Sequence, residues 1–277
     1  MLAKRTFLSF LVVLTFALIS FTGCTSGNDA PLSPYAGIYV ANGVNNTITA
    51  YVLSASGDTA PVRTIGGAST GFDYMWILTV DQTNGEIIAL DYNAHSVNVF
   101  NTTDDGDVAP KRTIAGAATG LFRPGGVAVD TTNNEIIVTN RVDSVTVFNR
   151  TDNGDVAPQR TIAGAATGLD SPAGAVLDTT NDEIIVANNG NDSITVYSTA
   201  DNGDVAPLRT ISGASTELDS IWGVAVDSTN NEIYVSNWSD ATVTVYNRTD
   251  NGDVAPKRTI SGPSTGLDGP GGIVIVR

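Results

Sequence analysis

The 277-residue chain holds one cysteine, Cys24, so no intramolecular disulfide can form and stability must come from a packed core. It holds one histidine, His95, which argues against a zinc-ligand set and against a Ser-His-Asp or Cys-His constellation. Basic residues are scarce: 14 Lys and Arg stand against 29 Asp and Glu, a net charge of −15. Such an acidic body argues against nucleic acid and anionic lipid headgroups as partners. No segment sustains a 3.6-residue apolar period, which argues against amphipathic helices.

What is present begins at the N-terminus. Lys4 and Arg5 precede Phe7 to Phe21, a stretch that is apolar apart from Ser9, Thr15 and Ser20. It is short for a membrane span and has the length of a secretory leader. It ends in Phe21-Thr22-Gly23-Cys24, which resembles the lipobox of bacterial lipoproteins. That resemblance implies a leader over 1–23, lipidation of Cys24 and anchorage to a membrane without a span. Thr25, in place of Asp, implies sorting to the outer membrane if the cell is Gram-negative. Residues 1–23 carry two basic and no acidic groups, so their loss takes the net charge from −15 to −17. The polar stretch 24–34 reads as a flexible tether, and residues 35–277 as one domain.

That domain is repetitive. The phrase Gly-Asp-x-Ala-Pro-x-Arg-Thr-Ile begins at Gly57, Gly106, Gly154, Gly203 and Gly252, steps of 48 or 49 residues. Each copy reads as four short strands, a to d, rich in β-branched residues and bounded by Gly, Asn and Asp. In the third copy a, b and c are Gly126–Asp130, Glu135–Thr139 and Ser144–Phe148; the preceding strand d is Lys111–Ile114. Four strands per repeat of this length predict the blades of a β-propeller. The described order begins with a b strand, Ile38–Asn42, and ends with a lone a strand, Gly272–Val276. The expectation is therefore an all-β, five-bladed propeller of four-stranded antiparallel blades, its ring closed by the C-terminal strand joining the N-terminal blade.

The wording Gly223-Val-Ala-Val-Asp227, Glu232-Ile-Tyr-Val-Ser-Asn237, Thr242-Val-Thr-Val-Tyr246 and Ile38-Tyr-Val-Ala-Asn42 resembles the NHL and YVTN propeller repeats. Those families usually have six or seven blades, against five here.

A residue present in every copy serves the blade; one that differs between copies is free to serve a ligand. Arg63, Arg112, Arg160, Arg209 and Arg258 recur on strand d and read as charges guarding an exposed edge. The strand-a aspartates read as acceptors for the turn that follows. The turns Asp104–Asp107, Asp152–Asp155, Asp201–Asp204 and Asp250–Asp253 bunch carboxylates. They lack the closing glutamate of a calcium loop, so no cofactor is expected beyond weak calcium binding there. The sequons at Asn101, Asn149, Asn191, Asn237 and Asn247 read as turn chemistry.

The d–a and b–c loops share one face, and there the copies diverge. Trp76 and Trp222 lie in d–a loops, as does Arg123. Tyr92, Arg141 and Trp238 follow a recurring Asn or Asp in b–c loops, and His95 is in a b–c loop too. The aromatics belong to the second and fifth blades, which flank the closure blade. These seven residues are the candidate ligand site: a groove over the closure blade, walled by aromatics, with basic residues to one side. The competing reading is that the tryptophans plug the central channel. The sequence thus points to a non-catalytic, lipid-anchored envelope module that binds a protein or polysaccharide. The alternative is a propeller hydrolase or lyase of the lactonase or gluconolactonase type.

Overall fold

The computed structural model describes residues 12–14 and 37–275. Residues 1–11, 15–36 and 276–277 lie outside the described residues, among them Cys24 and most of the stretches read from sequence as a leader and a tether. The described chain forms five four-stranded antiparallel sheets, a propeller-like arrangement. The first sheet holds β1 (Val12–Leu14), β2 (Ile38–Asn42), β3 (Thr47–Tyr51) and β4 (Arg63–Gly66). The second holds β5 (Met75–Asp81), β6 (Glu86–Asp91), β7 (Ser96–Asn101) and β8 (Arg112–Ile114). The third is β9 (Pro124–Asp130), β10 (Glu135–Asn140), β11 (Ser144–Asn149) and β12 (Arg160–Ala163). The fourth is β13 (Pro172–Asp178), β14 (Glu183–Asn188), β15 (Ser193–Ser198) and β16 (Arg209–Ile211). The fifth is β17 (Ile221–Asp227), β18 (Glu232–Asn237), β19 (Thr242–Asn247) and β20 (Arg258–Ile260). No α-helix occurs among the described residues, and no helix is long and apolar enough to cross a membrane.

Strands β6, β10 and β14 are buried at every residue because each sheet is covered on both faces by its neighbours. Their near-continuous Ile and Val runs meet that requirement. Four clusters fill the four spaces between consecutive sheets. Tyr39, Ile48 and Ile65 of the first sheet pack on Met75, Leu78 and Phe100 of the second. The same happens between second and third, third and fourth, and fourth and fifth sheets. Among the described residues no such cluster joins the fifth sheet to the first.

A clasp at the rim repeats with those clusters. Ile65, Ile114, Ile162 and Ile211 each bridge in parallel to the turn glycine of the next sheet: Gly106, Gly154, Gly203 and Gly252. The last aspartate of that turn reaches further. Asp107, Asp155, Asp204 and Asp253 each accept a backbone N–H of the preceding sheet, from Ser69, Ala118, Ala166 and Ser215, at 2.7 Å. Their carboxylates lodge against Gly67, Gly116, Gly164 and Gly213, where a Cβ would sit 2.3–2.5 Å away. Those glycines hold φ between 125° and 134°, so side chain and conformation are both refused. The last aspartate of each turn is therefore committed to a backbone donor across the seam, and the first accepts a backbone N–H of its own sheet.

The inner place of the first sheet is taken by β1, with Val13 opposite Val40. Residues 271–275 form no strand. Val12–Leu14 thus occupies the inner edge of β2. One sequence expectation is corrected: four of the five outer-strand arginines are tied to a glutamate of their own sheet instead of standing as free edge charges, although Arg258 stays 45% exposed. Arg112 donates through both Nη atoms to Glu86 at 2.7 and 2.6 Å, with its side chain 8% exposed. Arg160, Arg209 and Arg258 make the same fork onto Glu135, Glu183 and Glu232. The cause is register: strands b and d both flank strand c, so Glu and Arg 25 or 26 residues apart share one side. Burial raises the Glu86 pKa, but the hydrogen bonds from Arg112 and Lys111 outweigh it and hold the carboxyl at about 2.

An aromatic and cationic strip on the divergent face

Each inner strand enters its sheet through a register shift. In the second sheet the shift falls between Met75 and Ile77, in the fifth between Ile221 and Val224. Trp76 and Trp222 are the residues inside those bulges. A bulge re-aims a side chain out of the regular alternation, and here it brings two indoles from different sheets together, ring centroids 5.7 Å apart.

From that pair the rings continue both ways. Trp238 lies 6.1 Å from Trp222. On the other side Tyr74 stacks on Trp76 at 5.4 Å, and Tyr92 meets Tyr74 edge-on at 6.2 Å. The result is one strip, Trp238–Trp222–Trp76–Tyr74–Tyr92. Instead of an open groove between two aromatic walls, the walls touch. Gly43 of the first sheet makes room: a Cβ there would meet the Met75 carbonyl at 3.1 Å and the Trp76 ring at 3.9 Å. The three indoles are half-buried, so part of each ring packs and part faces outward.

Both predicted cations lie on the strip. The Arg141 guanidinium sits 4.9 Å above the Trp222 ring and donates to the Ser171 carbonyl at 2.9 Å. The Arg123 guanidinium lies between the rings of Tyr92 and Phe122, at 5.6 and 5.5 Å. Cation–π contact favours both placements. Neither forms an ion pair, whereas Arg112, Arg150, Arg160, Arg209, Arg248 and Arg258 all do.

His95 is placed differently from the other six candidates. Its Nδ1 accepts the backbone N–H of Arg123 at 3.0 Å, and its ring stacks on Phe122 at 4.6 Å. The same position in the first and third sheets carries Asn46, which accepts from Tyr74 N–H at 2.9 Å, and Asp143, which accepts from Ser171 N–H at 2.6 Å. All three have positive φ, as do the residues they bond. His95 is thus a bracket between sheets that also positions Arg123. Comparing copies hid this role because the acceptor changes identity. The signal was a side chain that accepts hydrogen bonds and tolerates a left-handed backbone.

The recurring Asn and Asp at the ends of strands b hold the d–a loops. Asn140, Asn188 and Asn237 accept the N–H of Phe122, Asp170 and Asp219 at 3.1–3.2 Å. Asp91 replaces the amide in the second sheet, fully buried, and burial raises its pKa. Among the described residues no group of three or more His, Cys, Asp or Glu is arranged to hold a metal.

These features define an all-β, propeller-like protein with an aromatic and cationic strip on one face. No protein-family model and no curated protein matches the chain. Among solved structures it is similar to a functionally unknown protein from Desulfotomaculum acetoxidans. The TM-score is 0.60 and the identity 14%, covering 86% of this chain and 70% of that one. Likeness at that identity speaks for the fold alone.

Proposed function

We propose that the protein is a non-catalytic binding module of a bacterial cell envelope. It is exported, held at a membrane, in Gram-negative cells the outer one, by a lipid on Cys24, and presents the divergent face to a glycan or protein partner. The observation that carries this reading is the pair of guanidiniums, Arg123 and Arg141, laid on aromatic rings without a carboxylate partner in a chain of net charge −15. Arginine and aromatic side chains are the residues that carry binding energy at interfaces. The NHL and YVTN wording of the strands is in keeping with a rigid repeat scaffold.

We propose further that the processed chain closes into a five-bladed ring with Gly272–Val276 as the inner strand of the first sheet. The contacts of Gly271 support this reading. The Ser236 hydroxyl donates to the Gly271 carbonyl, as the Thr139 hydroxyl does to Ala173 two seams back, at 3.0 Å. A Cβ on Gly223 would collide with Gly271, as one on Gly174 would with Trp222.

The test is tryptophan fluorescence of the full-length expression product, purified in detergent, against envelope glycans, peptides and lactones. A saturable shift that Trp222→Ala abolishes supports the binding face. Turnover of a lactone overturns the non-catalytic reading, and silence towards every ligand class overturns the face.

A further inference from the structure

Resting on the proposal that this face binds, we infer that its ligand is a carboxylated sugar chain of the uronate type, its carboxylates taken by Arg123 and Arg141 and its rings laid on the aromatic strip.

The charge argument comes first. The rim arginines answer to glutamates within the fold and are unavailable. Arg123 is exposed, and its guanidinium contacts only π faces. Arg141 spends Nη1 on the Ser171 carbonyl and Asn189 Oδ1, at 2.9 and 3.4 Å, which leaves Nε and Nη2 without a hydrogen-bond partner among the described residues. Three acidic groups of the same face are engaged elsewhere, although Asp192 keeps a buried carboxylate oxygen with no hydrogen-bond partner among the described residues. Asp143 accepts from Ser171 N–H, Asp219 from the Ser220 hydroxyl and Asp73 from Asn93. A planar guanidinium fork matches a carboxylate in two parallel hydrogen bonds.

The ring argument is independent of charge. Five aromatic rings follow one another at centroid steps of 5.4–6.2 Å from Trp238 to Tyr92, with Phe122, 41% exposed, beside the last. Aromatic faces take the apolar C–H faces of sugars while the polar edges stay wet. The guanidiniums sit above Trp222 and Tyr92, so the charges are spaced along the strip instead of clustered. A linear chain with carboxylates at intervals between stacking rings fits both features; an acidic peptide would use the charges and leave most of the strip unfilled.

The test is calorimetric titration of the full-length product in detergent with three probes: an oligouronate, the same oligomer with its carboxyls reduced, and poly-glutamate. The expected result is saturable binding of the oligouronate, weakened by added salt. Reduction of the carboxyls, or Arg123→Gln, should each weaken it by about tenfold or more, the scale of a lost charge-assisted pair. Arg123→Lys should recover only part of the loss, since the charge returns without the fork. An unchanged melting temperature for the Arg123 variants separates lost contact from lost fold. Equal binding of the reduced oligomer overturns the carboxylate assignment and leaves the binding face standing. Preference for poly-glutamate overturns the sugar and leaves the face standing. No saturable binding by any probe overturns both.

Discussion

Four seams between consecutive sheets carry the same set of parts: a buried apolar cluster, a parallel bridge to a turn glycine and an aspartate lodged on a glycine of positive φ. The seam between the fifth sheet and the first carries none of these in the described residues, yet its halves are encoded. Gly262 keeps the fifth copy of the glycine, with φ 102° and nothing within 4 Å of its Cβ position. Ile260, the fifth copy of the bridging residue, is 46% exposed. Gly57 and Asp58 supply the matching turn on the first sheet, both exposed. The difference teaches that the repeat writes each seam in two places one blade apart, so a seam forms only where both halves are brought together.

The largest effect is expected where one seam is tied most heavily. Glu86 holds Arg112 and Lys111 of its own sheet and Arg150 of the next. Glu86→Gln leaves these cations short of a buried partner and should cost about 3–5 kcal/mol in denaturant unfolding. The group also predicts a pH signature. Its folded pKa of about 2 lies below the ordinary 4.5, so its stabilisation is complete above about 4.5 and is lost as pH falls towards 2. The variant should lack that part of the acid dependence.

Next in size is the clasp. Asp155→Ala orphans the Ala118 N–H and empties the space at Gly116, for a loss of about 1–3 kcal/mol. Asp58→Ala sharpens the comparison directly. If the processed chain closes its ring, the loss should match that of Asp155→Ala in the same unfolding experiment. If the fifth seam stays open, the change should fall within about 0.5 kcal/mol, as for any exposed site. The smallest predicted change runs the other way: Asp91→Asn removes a buried carboxyl of raised pKa and restores the amide found in the other sheets. Because the folded pKa is raised, ionisation costs stability as pH rises past the ordinary Asp range, so the gain in melting temperature should appear at neutral pH and vanish in acid.

Much of this was legible in the repeat. Strands β2 and β10 fall where alternation and turn residues put them, to within a residue. The inner strands begin earlier than read, at Pro124 instead of Gly126, because a bulge breaks the alternation that marks a strand. The Glu–Arg forks were missed because the partners lie on strands that are not neighbours. The site residues were found by their divergence, since a side chain that varies between equivalent positions is not needed by the scaffold. Their mutual contact could not be read: it depends on two bulges that aim Trp76 and Trp222 at each other.

The unfilled clasp on β20 has a consequence for solutions of this protein. Its two halves sit at opposite ends of one chain and are complementary rather than identical, so they can satisfy each other within a molecule or between molecules. Within one molecule the encounter is set by effective concentration and is indifferent to how much protein is present. Between molecules the contact is heterologous, head to tail, and each addition exposes a fresh half at the growing end. A chain whose ring fails to close therefore has no natural stopping size, and the glycine at 262 marks the edge from which such a filament would grow.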